Sequence, residues 1–211
     1  MSRAQKIITI ALWTVLVMVM VGVIAAAAWD HLHSARAEAG PPLDVKFAAP
    51  SFSLTDQTGA TITDQSLRGH PYIASFVFTQ CAGPCPLITG KMAHLQKTLP
   101  DASVKLVSIS VDPEHDTPAV LKEYASRFSA DAARWHFLTG KPADVYATIQ
   151  GMKIAMQAAQ ENTPLIHSTR LLLVDSIGRV RGIYDTGEHA APDTLSRLAR
   201  DAHRLAGENL K

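Results

Sequence analysis

Cys81 and Cys85, in the stretch FTQCAGPCP, are the only two cysteines of this 211-residue chain. A disulfide between them closes a very small loop and so removes little unfolded-state entropy, while a chain of this length can be stable on its apolar core. Stapling is therefore a weak account of the pair, even in an oxidising compartment where structural disulfides are common. Two soft sulfurs select Cu(I), and structural zinc needs further Cys or His at close spacing, which the neighbourhood lacks. The same sulfurs also suit thiol-disulfide exchange, in which one thiolate attacks a partner's disulfide and the other resolves the mixed species. Copper binding and redox exchange both remain open at this point.

The elements around the pair set its environment. Tyr72 to Thr79 is nearly apolar and rich in aromatic and β-branched residues, as expected of a strand covered on both faces. After Pro86, the positions Ile88, Met92, Leu95 and Leu99 recur at helical spacing until Pro100. Thiols at such a strand-to-helix junction are expected to feel the helix dipole and unpaired N–H groups, which lower a thiolate's pKa.

The remaining elements follow from period and punctuation. Phe52–Leu54 and Thr61–Thr63 flank Asp56 and Gly59 as a hairpin, and Val104–Val111 reads as an alternating strand ending at Asp112-Pro113. Thr117 caps a helix with Pro118 at its first position and Val120, Leu121, Tyr124, Ala125 and Phe128 facing inward. Trp135–Leu138 is a short strand, and Pro142 opens a helix carrying Val145 and Ile149. Leu171–Val174 and Val180–Tyr184 form a second hairpin across Ile177-Gly178, and Leu195, Leu198, Ala202 and Leu205 stripe a final helix. This order gives an α/β domain with a central mixed sheet and helices on both faces. The loops after Thr79 and Val111 should then open beside each other at one end of the sheet.

From Ile7 to Trp29 no residue is charged, a length that spans a hydrocarbon core of roughly 30 Å as a helix. Arg3 and Lys6 precede it, so the positive-inside bias keeps residues 1–6 in the cytosol and sends the chain after Asp30 across the membrane, to the periplasmic side in a bacterium. A cleaved signal peptide is the alternative, with Ala35-Arg36-Ala37 resembling a cleavage site, but the apolar run exceeds the usual length. The expected organisation is a cytosolic 1–6, an anchor over 7–29, a linker over 30–46 and a domain over 47–211.

Twenty Lys and Arg against 19 Asp and Glu, with no basic cluster, leave nucleic acid a poor partner, and no phosphate-binding glycine motif is present. Among the nine histidines, His70, His94, His115, His136, His189 and His203 read as surface residues, and His31 and His33 as linker polarity. Met92, Met152 and Met156 are given no role, since methionine at helical spacing usually fills a core. Asp112 is a candidate for orienting a ligand or meeting a partner, with turn initiation an equal reading, and Asp175 reads as turn chemistry.

The stretches FSLTDQTGATITDQSLRGH, FVFTQCAGPCP, VSISVDPEHDTP, WHFLTG and IHSTRLLLVDSIGRVRGIYD together resemble the Sco/SenC family of copper chaperones for cytochrome c oxidase. The resemblance runs from about Phe47 to the C-terminal helix. It implies a thioredoxin-like fold with an extra N-terminal hairpin behind one transmembrane helix, and a copper site of Cys81, Cys85 and His167. It further implies that Cu(I), with Cu(II) as a second oxidation state, passes to the copper-receiving subunit of a respiratory oxidase, with a copper donor or thiol reductant upstream. One departure is the loop interior, Ala82-Gly83-Pro84, where many members carry a proline directly after the first cysteine and an acid in the middle. A metallochaperone is not an enzyme in the ordinary sense; the alternative is an extracytosolic thiol-disulfide oxidoreductase using the same cysteines. A peroxiredoxin-like peroxidase fits poorly, because its lone reactive cysteine is not matched by this close pair.

Overall fold

The protein divides into two compact units, Met1–Pro42 and Leu43–Lys211. The computed structural model describes residues 3–38, 42–81, 83–99, 103–154 and 168–208. Among the described residues of the first unit the regular element is helix α1 (Arg3–Glu38), within which Gln5–Trp29 is long and apolar enough to cross a membrane. The described side chains of that span are exposed and mostly apolar, which suits lipid surroundings. The segment read as a tether from Asp30 is helical through Glu38. It lacks apolar periodicity, yet neither Gly nor Pro interrupts it before Gly40-Pro41, and Leu, Ala, Arg and Glu favour helix by propensity alone.

The second unit begins at Leu43, ahead of the expected Phe47. Lys46 donates its N–H to the Val180 carbonyl at 2.8 Å, and the Arg181 guanidinium donates to the Leu43 carbonyl. Strand β1 (Phe47–Ala48) then pairs with β8 (Arg179–Asp185) at one edge of an eight-stranded sheet. The full order is β1-β8-β7-β4-β5-β6-β2-β3, with β2 (Ser53–Asp56), β3 (Thr61–Thr63), β4 (Tyr72–Val77), β5 (Lys105–Ser110), β6 (Trp135–Thr139) and β7 (Arg170–Val174). Strands β4, β5 and β6 are mutually parallel and the other pairings antiparallel, giving the expected mixed sheet.

Helices α2 (Pro84–Thr98), α3 (Pro118–Arg127) and α5 (Thr194–Glu208) share one apolar cluster, built on Ile73, Leu106, Trp135, Phe137 and Leu173. Helix α4 (Pro142–Gly151) and the β2–β3 hairpin cover the other face, over Tyr72, Phe76, Val107, Ile109 and Leu172. Because both faces are covered, β5 is buried at every position after Lys105, so the alternation read from its sequence does not persist. On α3, Leu121, Tyr124 and Ala125 face the core, whereas Val120 is 38% exposed. It sits beside the stripe that the 121, 124, 125 spacing defines.

Polar groups lock the hairpin to the sheet. Gln57 donates to the Trp135 carbonyl at 2.8 Å and accepts from the Phe137 N–H at 2.7 Å. The neighbouring Asp56 pairs with His136 at 3.0 Å, so His136 is half-buried rather than a surface residue.

At the β7–β8 turn, Asp175 accepts from the Arg179 N–H at 2.8 Å, from Arg179 Nε at 2.8 Å and from an Arg181 amine at 3.0 Å. Gly178 supplies the left-handed φ of +78° that the turn needs. Burial opposes the charge of Asp175, but the Arg179 main-chain bond and the two guanidinium groups outweigh it and hold the carboxyl below its ordinary range. Asp175→Ala leaves the Arg181 cation buried without its partner, at an expected cost of roughly 3–5 kcal/mol in urea unfolding near pH 7. A depressed carboxyl stabilises above its unfolded pKa of about 4 and loses that contribution as pH falls through the native value. The gap between wild type and variant should therefore close on acidification; a gap unchanged down to pH 2 would refute the ion-pair account.

Candidate functional site

The cysteine loop leaves the C-terminal end of β4. Phe78 is buried, the Cys81 N–H reaches back to the Phe78 carbonyl at 3.4 Å, and Gly83 precedes the first helical residue, Pro84. Cys85 therefore lies in the first turn of α2, as the sequence indicates. Both cysteines are free thiols and both are buried, Cys81 at 9% exposure and Cys85 at 3%.

The expectation of a lowered thiolate pKa fails for Cys85, whose thiol is pushed up to about 12. Burial is the main cause; a main-chain hydrogen bond from Phe78 acts against it, and the neighbouring Cys81 and the Asp116 carboxylate push further upward. The sequence contributes as well. Pro84 and Pro86 have no N–H, so among the first three helical residues only Cys85 carries a donor, and this helix terminus attracts anions weakly.

The loops after β4 and β5 do open side by side, joined by a carboxylate that the sequence reading passed over. Asp116 is wholly buried. It accepts from Thr79 Oγ1 at 2.5 Å, from the Thr79 N–H at 3.3 Å and from Ser110 Oγ at 2.5 Å. Parallel pairing of β4 and β5, with Val77 opposite Ser110, brings these residues within reach. Desolvation outweighs the bonds from Ser110 and Thr79, so the Asp116 carboxyl is raised above its ordinary range. No sequence signal separated Asp116 from Asp112, since both lie in the same polar stretch, VDPEHDTP.

Asp112 takes the turn reading. Its carbonyl accepts from the N–H groups of His115 and Asp116, and its carboxylate binds His115 Nδ1 at 2.9 Å. That contact raises the pKa of His115, which is a surface residue as expected. His70, His94, His189 and His203 are exposed, and Met92 and Met152 are buried in the core.

His167 and Met156 lie outside the described residues, as does Ala82. The chain resumes at Ser168, just before β7. With Leu172 opposite Ala74 in an antiparallel pair, the start of β7 lies at the end of the sheet from which the cysteine loop departs. Among the described residues no cluster of three or more His, Cys, Asp or Glu side chains is close enough to hold a metal ion.

Residues 42–202 match the family model described as SCO1/SenC. The chain is 30% identical over 166 residues to the SCO1 protein homolog of Bacillus subtilis, covering 76% of this chain and 86% of that protein. A solved structure of BsSco, described as a member of the Sco family of cytochrome c oxidase assembly proteins in which a disulfide switch was identified, superposes with a TM-score of 0.68 at 29% identity. That match covers 78% of this chain and 97% of BsSco. The copper-bound structure of ScoI from Bradyrhizobium japonicum gives a TM-score of 0.63 at 29% identity, over 75% of this chain and 99% of ScoI. These likenesses establish the thioredoxin-like fold.

The raised carboxyl of Asp116 generates a prediction of opposite sign to that for Asp175. A group raised by folding favours the folded state fully below its unfolded pKa, near 4, and loses that contribution as pH climbs toward the native value. Asp116→Asn keeps an acceptor for Thr79 and removes the buried charge. Its stability in urea relative to wild type should rise from pH 4 to pH 7; a relative loss that grows with pH would show that the carboxylate is stabilised as an ion.

Proposed function

The chain belongs to the SCO1/SenC family, and from that premise we propose that it is a membrane-anchored Cu(I) metallochaperone whose cargo is held by Cys81, Cys85 and His167. The observation that carries this reading is the pair of reduced thiols, side by side and buried, at the end of the sheet where β7 begins. His167 stands three positions before the first residue of β7 in sequence. Two sulfurs and a neutral imidazole form a low-coordinate soft set that prefers Cu(I). The relatives point the same way: one was solved with copper bound, and another belongs to a family of cytochrome c oxidase assembly proteins. The client is accordingly the copper-receiving subunit of a respiratory oxidase, reached by ligand exchange. Helix α1 anchors the protein with its N-terminus in the cytosol and the domain on the periplasmic side.

Thiol-disulfide exchange is the second reading, favoured by the free dithiol and by the disulfide switch of BsSco. Burial counts against it. The Cys85 thiol, pushed up to about 12 by burial, is a poor nucleophile at neutral pH, and the residue is only 3% exposed, which counts against Cys85 as the attacking thiol. A metal ion can displace that proton on coordination, at a cost in affinity that falls as pH rises.

Anaerobic titration of the reduced full-length protein in detergent, against a chromophoric Cu(I) chelator, tests the assignment. Wild type should bind one Cu(I), Cys81→Ser or Cys85→Ser should abolish binding, and His167→Ala should weaken it by an order of magnitude or more. Unchanged one-to-one binding by His167→Ala would remove His167 from the ligand set. A wild type that ignores Cu(I) but readily reduces a disulfide would establish the second reading instead. Since uptake expels the Cys85 proton, the affinity should also rise about tenfold per pH unit for each proton released between pH 6 and 8. A pH-independent affinity would mean that this thiol is already ionised.

A further inference from the structure

Beneath the cysteines, Thr89 and Tyr124 form a chain of hydrogen bonds that ends on Cys85 and that the ligand set does not use. Thr89 on α2 is fully buried, with Oγ1 2.8 Å from the Cys85 carbonyl and 2.9 Å from the Tyr124 hydroxyl of α3. A threonine hydroxyl has one hydrogen and a carbonyl can only accept, so that hydrogen goes to Cys85 and the phenol donates to Thr89. Tyr124 is 4% exposed, and its ring packs against Phe128 at 5.2 Å and edge-on to Phe137 at 6.1 Å. Thr89 and Tyr124 are both nearly inaccessible to solvent, which strengthens these bonds.

We propose that Tyr124 and Thr89 are positioning residues, a relay from α3 through α2 that fixes the Cys85 main chain so that its sulfur stays aimed at Cys81 in the dithiol form. The inference rests on the reading of Cys81 and Cys85 as the working pair. A second bond on a first-turn carbonyl restrains the peptide whose Cα carries the sulfur, and a preorganised pair gives up less freedom when it binds cargo. Both residues act through the hydrogen bond to the Cys85 carbonyl.

The test uses reduced full-length protein in detergent, carrying Tyr124→Phe, Thr89→Val or Thr89→Ser. Cu(I) affinity, the Cys81/Cys85 midpoint potential and the urea midpoint are measured for each. Tyr124→Phe keeps the packed ring and removes only the donor. It and Thr89→Val should each weaken Cu(I) about tenfold, the scale for groups that orient ligands. Both should also shift the dithiol equilibrium about tenfold toward the disulfide, about 30 mV more negative, while Thr89→Ser restores wild-type values. A merely structural role would lower the urea midpoint and leave the potential in place. Wild-type affinity and potential in Tyr124→Phe would overturn the relay, even if Thr89→Val fails to fold. If wild type binds no Cu(I), the copper assignment falls and the potential alone judges the relay: a shift upholds it and its absence overturns it.

Discussion

Keeping two thiols next to each other and out of water at the rim of a sheet is the constraint from which the rest of this domain follows. A loop at a strand end ordinarily lies on the surface, where its main-chain groups find water. Here the loop after β4 is drawn inward by Asp116, which binds both the N–H and hydroxyl of Thr79 while gripping Ser110 at the end of β5. The carboxylate lies 35 residues from Cys81 in sequence, and only the parallel register of β4 on β5 makes the contact. A slip of that register by one residue would turn Ser110 to the opposite face and separate Thr79 from its partner.

That register is in turn held from both sides. Toward β6, Ser108 accepts from the Trp135 indole at 3.0 Å and lies 2.8 Å from the Ser75 hydroxyl, a buried polar line across three adjacent strands. Gln57 ties the hairpin to the outer edge of β6, closing groups that would otherwise be bare. On the other flank, Arg181 joins the Asp175 turn to the Leu43 carbonyl, so the chain arriving from α1 is fastened to the sheet edge. Each device satisfies a buried polar group with a partner distant in sequence, and together they favour one arrangement of the strands over its alternatives.

Local features carried most of what the sequence revealed. The strand before Cys81, the Thr117-Pro118 cap, the helical stripes of α2 and α5 and the turn at Gly178 each depend on residues within a few positions of one another. What escaped notice depends on depth, which no local pattern records. Asp116 and Asp112 look alike in VDPEHDTP, yet one is wholly buried and the other pairs with a surface histidine. His136 looked like a surface residue until Asp56 arrived from the hairpin. The helical run from Asp30 to Glu38 has propensity without periodicity, so a search for apolar stripes passes over it. The family resemblance supplied His167, which the spacing of residues around the cysteines does not single out.

The thiol of Cys85 shows most clearly how depth overrides position. A cysteine in the first turn of a helix is expected to ionise easily, but the dipole acts through unpaired N–H groups, and Pro84 and Pro86 remove two of the donors that would face the sulfur. With that attraction thinned, the cost of placing a charge in an apolar rim decides the outcome, and Asp116 adds to it. The proton that remains on Cys85 makes that thiol a slow nucleophile toward oxidants and disulfides. A soft cation bound there would reverse the balance, its own charge taking the place of the proton. Burial of the Cys85 thiol therefore sets the energetic terms on which either thiol exchange or metal binding at this Cys-x-x-x-Cys pair would proceed.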